Sequence, residues 1–355
     1  MYKILSVNPG STSTKFAVYE DEKLVCLHTI RHSADDLKSF ESLLEQHEFR
    51  KNLMVDYLAK DGIDIAELSA VVGRGGLVRP LESGVYSVND KYIEDLKTRY
   101  SAEHASNLGG VIAREIAETI PGCLALIADP VVVDEYQDVA RVSGLPQIPR
   151  RSMFHALNHK AIARKYAAAN GTTYEKLNLV VAHMGGGISV AAHRLGKVVD
   201  SNQGLDGYGP FSPERAGTLD AGQLVDLCFE GKYTHDEIRK LLVGNGGLMA
   251  HLGINDTKVI LQMVESGDEK ARLILEALAY NVAKEIGSMF AVLEGKVDAT
   301  ILTGGIAHSK LITSHIEKMI SGFTKVIIYP GEDELEALAL SGLRIIHGEQ
   351  PLEYI

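Results

Sequence analysis

Three short apolar-rich runs open the chain, Lys3 to Val7, Thr14 to Tyr19 and Lys23 to Ile30, separated by a Gly/Ser turn and an acidic turn. Runs of this length bounded by turn residues predict a β-meander. From Asp35 to Lys60 apolar residues recur at Leu37, Phe40, Leu43, Leu44, Leu53, Met54, Tyr57 and Leu58, a helical pattern that Asp61-Gly62 stops. A strand is expected at Ala70 to Val72, a second helix from Ala105 to Ile120 ending at Pro121-Gly122, and a buried strand at Cys123 to Ala128.

The opening pattern then returns. The segment LVVAHMGGGISVAAHRLGKVVDS, starting at Leu179, aligns with ILSVNPGSTSTKFAVYEDEKLVC, starting at Ile4, through a single-residue gap. Each reads strand, Gly turn, strand, tight turn, strand. A helix is expected ahead of the repeat at His155 to Asn170, and helices follow at Asp220 to Glu230, Thr234 to Val243 (with a Thr234/Glu237 capping box) and Asp268 to Glu294, with a strand at Ala299 to Thr303. The order predicts an α/β chain with a duplicated actin-like ATPase (ribonuclease H-like) fold, two domains flanking a nucleotide cleft. The boundary is expected near Pro146 to Pro149, giving domains 1–149 and 150–333. The last helix, from Glu334 to Ile346, is expected to return residues 334–355 to the first domain.

Composition narrows the function. The 355 residues exceed the usual limit of one hydrophobic core, and the formal charge of −11 argues against a polyanion-binding surface such as nucleic acid requires. Any phosphate ligand must therefore meet a local cationic pocket. Cys26, Cys123 and Cys228 are scattered and not in CxxC spacing, which suggests neither disulfides nor zinc. No run of about 18 apolar residues occurs and the N-terminus lacks a leader-like apolar stretch, so a cytoplasmic protein with no membrane partner is expected.

Three glycine turns carry the candidate chemistry. Asn8-Pro9-Gly10-Ser11-Thr12-Ser13-Thr14-Lys15 is rich in small and hydroxyl residues with one lysine, either a phosphate cradle or a polar hairpin loop. His183-Met184-Gly185-Gly186-Gly187 permits close backbone approach to a ligand, or is a loose hairpin with a structural histidine. Thr303-Gly304-Gly305-Ile306-Ala307 is a strand–Gly–Gly–helix turn. Two further segments hold cations: Arg150-Arg151-Ser152-Met153-Phe154-His155, and Pro213-Glu214-Arg215-Ala216-Gly217 in a Gly/Pro-dense loop. Neither a P-loop nor a GxGxxG fingerprint is present.

NPGSTSTK, RRSMFH, HMGGGISVAAHRLGKVVD, SPERAGTLD, ILTGGI and PGEDELEALA occur in the order and spacing of the acetate and butyrate kinase family, which this chain resembles over nearly its whole length. The resemblance is nearer to the butyrate than to the acetate branch. Acetate kinases typically read RxVHGG, RxGFHG and HLGNG where this chain reads VVGRGG, RRSMFH and HMGGG. It implies ATP as cosubstrate, Mg2+, reversible formation of an acyl phosphate from a short-chain fatty acid, and a homodimer or higher homo-oligomer.

By matching motif positions, the resemblance makes Arg215 and His155 the groups that stabilise the transferring phosphoryl. Asn8, Ser11, Ser13 and Lys15 become the phosphate-side turn, His183 and Gly185, Gly186 and Gly187 the nucleotide-side turn, and Gly304, Gly305 and Ile306 the adenosine turn. Asp129, Asp333 and Glu334 are assigned to the metal, although an acidic helix N-terminus favoured by the macrodipole also explains the last two. Gly73, Arg74, His104 and Phe154 are assigned to the acid pocket. The family arginine that pairs with the acid falls on Val71, so Arg74 is expected to act from a shifted position. Gly73 is read either as freeing space for a longer acyl chain or as a backbone turn, and His104 has a helix-cap alternative. The competing readings are an acetate or propionate kinase, and an actin-like or Hsp70-like ATPase with no metabolic product.

Overall fold

β1 (Lys3–Pro9), β2 (Ser13–Glu20) and β3 (Lys23–Arg31) pair antiparallel as a meander. β4 (Leu68–Arg74) joins β1 in parallel and β6 (Leu124–Ala128) joins β4 in parallel, with the short β5 (Val85–Ser87) antiparallel at the edge. The order is β3-β2-β1-β4-β6-β5. A second sheet repeats the plan: β7 (Asn178–Met184), β8 (Ile188–Arg194) and β9 (Lys197–Ser201) form a meander. β10 (Ala299–Gly304) and β11 (Val326–Pro330) then add in parallel, in the order β11-β10-β7-β8-β9. The internal echo in the sequence is thus an echo of topology.

This computed structural model describes residues 1–98 and 104–355. They form two compact units: 1–133 with 156–158 and 333–355, and 134–155 with 159–332. The division falls at Val133/Asp134, ahead of the expected boundary near Pro146 to Pro149, because Tyr136 and Arg150 both bond to the β9 region. Tyr136 Oη reaches Ser201 O at 2.9 Å, and Arg150 reaches Asp200 Oδ1 at 2.7 Å. The Glu334–Ile346 helix belongs to the first unit.

The central strands β1, β4, β7 and β10 are buried on both faces, as parallel strands of an α/β sheet are. In β7, Leu179 and Val181 face a cluster with Tyr166 and Ile301, while Val180 and Ala182 face Leu275, Leu278, Val282 and Ile286 of the Glu269–Val292 helix. In the first unit Leu5, Val7, Phe16 and Val18 pack on Met54, Leu58, Leu108, Ile112 and Ile116.

The single helix expected from Asp35 to Lys60 is broken. Ser33 caps a short helix Ala34–Leu37, a 3-10 turn follows at Leu44–Gln46, and the long helix begins only at His47–Lys60. The break falls at residues 38–43, where Ser39 and Ser42 stand; serine side chains compete for backbone groups and disfavour a helix interior. The capping box at Thr234 and Glu237 forms, with Glu237 N donating to Thr234 Oγ1 and Thr234 N to Glu237 Oε2.

The C-terminus is tied down by Asp95. Tyr354 Oη donates to its carboxylate at 2.6 Å, and Arg79 and Lys91 pair with it. The Tyr354 hydroxyl above all, with Lys91 and Arg79, holds the Asp95 carboxyl down at about 2 against burial. A depressed folded-state value stabilises the fold above the ordinary carboxyl range, and that contribution is lost as pH falls from about 4 toward 2. Tyr354→Phe should therefore move acid unfolding, followed by circular dichroism, to higher pH. An unchanged acid transition would remove Asp95 from this role.

Candidate functional site

Parallel strands carry their C-terminal ends to one edge, where open α/β sheets bind ligands. In the first unit that edge presents Asn8 from β1, Arg74 from β4 and Asp129 just after β6. Glu334, opening the last helix, collects two of them. Its Oε2 accepts from Asn8 Nδ2 and from Arg74 Nη1 at 3.0 Å, and its Oε1 accepts from Asn158 Nδ2 at 2.9 Å. Asp129 is buried in the left-handed region at φ +36, and its Oδ1 accepts from Ser83 Oγ at 2.6 Å and Gly84 N at 2.9 Å. A non-glycine residue holds such a backbone only where its surroundings over-determine it.

The β1–β2 turn leaves Ser11, Thr12 and Lys15 exposed and Ser13 half-buried. Beneath it sits Arg50, a residue the sequence reading passed over; its position in the buried 50–54–58 stripe of the His47–Lys60 helix was the available sign.

In the second unit four histidines and a tyrosine form one connected group. His155 Nδ1 and His159 Nε2 each lie 2.8 Å from Ser189 Oγ on β8. His159 Nδ1 lies 3.2 Å from His193 Nε2, and His193 Nδ1 lies 2.6 Å from Tyr174 Oη. Burial above all holds both His159 and His193 well below the ordinary histidine value, so both are neutral donors and acceptors. The His155 ring lies 4.4 Å from that of His183. His183 Nε2 reaches Glu332 Oε2 at 3.2 Å, while its Nδ1 is buried without a hydrogen-bond partner among the described residues. His159 is one helical turn from His155 and carried a sequence sign in that spacing; Ser189 carried none.

Arg215 lies against the triple-glycine turn. A Cβ at Gly187 would overlap its guanidinium, 2.6 Å from Cζ, so only glycine lets the arginine lie there. The guanidinium donates to Gly204 O and makes no ion pair among the described residues; burial draws its pKa down, with Glu214 and Asp206 acting the other way. Ser212 Oγ fixes Gly186 O at 2.7 Å, and Gln203 Oε1 organises the neighbouring loop by accepting from the amides of Leu205, Asp206 and Gly207. Gly304, at φ +90, closes on the same turn, since a Cβ there would overlap Met184 O. Gly305 is exposed and Ile306 buried.

Several assigned residues are placed differently. Gly73 opens no pocket: a Cβ there would overlap Gly109 O and come within 2.9 Å of Gly110 N, because the Asn107–Ala117 helix packs backbone to backbone on β4. Phe154 is buried with its ring edge-on to His159 at 5.3 Å. His104 is exposed and its Nδ1 accepts from Ser106 at the start of the same helix, as a cap would; Ser101 to Glu103 of that segment lie outside the described residues. Arg150 is engaged by Asp200 and Tyr208.

Asp129, Asp333 and Glu334 do not converge as three metal ligands: Glu334 is consumed by Asn8, Arg74 and Asn158, and Asp333 is exposed. Asp129 alone fits Mg2+, which takes one or two carboxylates and completes its shell with water and phosphate. The one group of three potential ligand atoms among the described residues is Cys26, His28 and Asp61. There His28 Nε2 is already bonded to Asp61 at 2.6 Å, and burial pushes the Cys26 thiol up, away from the thiolate a metal needs.

A model of the acetokinase family matches residues 146–349, more than half of the chain. The chain belongs to the acetokinase family. It is accordingly a carboxylate kinase with ATP as phosphoryl donor. Among solved structures it is similar to the acetate kinase of Porphyromonas gingivalis (TM-score 0.81, 20% identity, 98% of this chain and 100% of that one). It is also similar to a propionate kinase of Francisella tularensis subsp. tularensis SCHU S4 (0.76, 20%, 96% and 99%). A ROK family protein of Streptococcus pneumoniae TIGR4 shares the architecture more distantly (0.52, 14%, 97% and 99%). The fold of this acetokinase-family member is the duplicated α/β, actin-like ATPase fold with two domains. None of the described helices is long and apolar enough to cross a membrane.

Proposed function

We propose that this acetokinase-family chain phosphorylates butyrate, or a branched acid of similar length, from ATP, and runs the reverse transfer from butyryl phosphate and ADP. The observation that carries the reading is Arg74. Its Nη1 serves Glu334 and Asn8, while Nε and Nη2 make no hydrogen bond among the described residues, leaving the planar edge that takes a carboxylate bidentately. The departures from acetate kinases at residues 71–76, 150–155 and 183–187 favour the longer acid.

A short-chain acid is ionised at neutral pH and needs no general base. The obstacle is charge: at about 4 Å each unit repulsion between carboxylate and γ-phosphoryl is about 4 kcal/mol at an effective dielectric of 20. A carboxylate oxygen forms the bond to the γ-phosphorus as the bond to the β–γ bridging oxygen breaks, the electron pair leaves with ADP, and no proton moves. Arg215 and His155 meet charge on the equatorial oxygens, His155 being oriented through Ser189. Asn8, Ser11, Ser13 and Lys15 bind phosphate oxygens, His183 and Gly185 to Gly187 the nucleotide side, and Gly304, Gly305 and Ile306 the adenosine. Asp129 would hold Mg2+, which when bound neutralises phosphate charge.

Trapping acyl phosphate with hydroxylamine across acids of two to five carbons tests the reading. Two extra buried methylenes at about 0.8 kcal/mol each predict a kcat/KM for butyrate about tenfold above acetate. A preference for acetate overturns the butyrate assignment, and absence of hydroxamate with every acid overturns the carboxylate-kinase reading.

A further inference from the structure

The largest fully buried side chain among the described residues is a cation. Arg50 is wholly inaccessible, and it makes no ion pair among the described residues. Its Nη1 donates to Gly10 O at 2.8 Å, Ser13 O at 2.9 Å and Thr14 Oγ1 at 3.1 Å, and its Nη2 to Ser11 O at 3.0 Å. The remaining donors go to Gln46 Oε1, from Nη2 at 2.7 Å and Nε at 3.1 Å. Every partner is a neutral dipole. Buried charges are ordinarily paired, since an uncompensated one is costly, and a turn that needed only to be tied down could be held by neutral donors.

The consequence for the turn is directional. With the carbonyls of Gly10, Ser11 and Ser13 drawn inward to one guanidinium, the amides of Ser11 and Thr12 make no hydrogen bond among the described residues, and both residues are exposed. Thr12 O is held by His32 N at 2.9 Å, and His32 Nε2 lies 2.8 Å from Thr14 Oγ1. Burial and the neighbouring Arg50 charge keep the His32 imidazole below its ordinary value, so the guanidinium is the charge under this turn. Unbonded amides over a concealed cation make an anion site.

We propose that Arg50 is a positioning residue for phosphate binding: by holding the carbonyls of the turn it leaves the amides of Ser11 and Thr12 for a ligand and supplies, from beneath, positive charge for the phosphate groups of the nucleotide. The inference rests on reading this turn as the phosphate side of the kinase site. Geometry and charge separate in one variant, Gln46→Glu. It preserves the size of the partner and its acceptor for Nε and Nη2, but places a carboxylate against the guanidinium and cancels its charge.

The test measures KM for ATP and for the acid, ADP and inorganic phosphate affinity by calorimetry, and thermal melting, in wild type, Gln46→Glu, Arg50→Lys and Arg50→Met. Gln46→Glu is expected to melt at or above wild type yet raise KM for ATP and weaken ADP and phosphate about tenfold or more, with KM for the acid within about threefold. Arg50→Lys, keeping charge but not the fork, should lie between wild type and Arg50→Met. Unchanged nucleotide affinity in Gln46→Glu, or in a folded Arg50→Met, overturns the proposal and leaves Arg50 a structural tie. Should Arg50→Met not fold, Gln46→Glu decides. A wild type that binds ADP through this turn but makes no acyl phosphate would sink the proposed reaction and leave this inference standing.

Discussion

Arg215→Ala is expected to lower turnover by at least about a hundredfold while leaving KM for ATP within about threefold. The guanidinium is half-buried beside the triple-glycine turn and makes no ion pair among the described residues, although the charges of Glu214 and Asp206 favour its protonated form. A cation held in that state is preorganised for charge that develops elsewhere, and one that meets charge mainly in the transition state lowers the barrier without tightening ground-state binding. Arg215→Lys should recover only part of the loss, because an ammonium cannot both donate to Gly204 O and present a second planar edge. Steady-state kinetics with ATP and acid varied independently read the outcome. A matched loss of ATP affinity with turnover preserved would make Arg215 a nucleotide-binding residue and nothing more.

Gly73→Val is expected to abolish most folded protein, with whatever activity survives reduced alike for acetate, propionate and butyrate. The sequence reading allowed Gly73 to free room for acyl methylenes, and the Gly109–Gly110 backbone occupies that room instead. Overpacking an ordinary core costs about 1–3 kcal/mol; here the new atoms meet main chain that cannot change rotamer, so the cost should exceed about 3 kcal/mol. Even Gly73→Ala introduces the overlapping Cβ. Thermal melting of both variants, with hydroxamate assays on the three acids, checks this. A stable Gly73→Val enzyme whose butyrate-to-acetate ratio has dropped would restore the pocket reading.

Local sequence was enough for elements whose signals act over a few residues. The meander Lys3–Arg31, its echo Asn178–Ser201 and the Thr234/Glu237 capping box were legible because strand length, turn residues and capping geometry are neighbour effects. The repeat also gave the duplicated topology, since like segments bury like faces. The elements between them were less legible. The helices Asp90–Lys97 and Thr257–Glu265 and strand β11 were passed over, and the 35–60 segment was read as continuous because Ser39 and Ser42 were not weighed against the apolar residues around them.

Sequence by itself determined the two glycine hairpins, the paired sheets and the residue types of the candidate site. Tertiary structure alone decided who touches whom. Glu334 meets Arg74 across 260 positions, Ser189 joins His155 to His159, and Arg50 lies under Gly10. It also decided that Gly73 packs rather than opens. The reason is physical: propensity, capping and turn chemistry are set by neighbours along the chain, whereas the burial of a charge, the partner of a carboxylate and the space beside a glycine are set by segments the chain brings together only on folding.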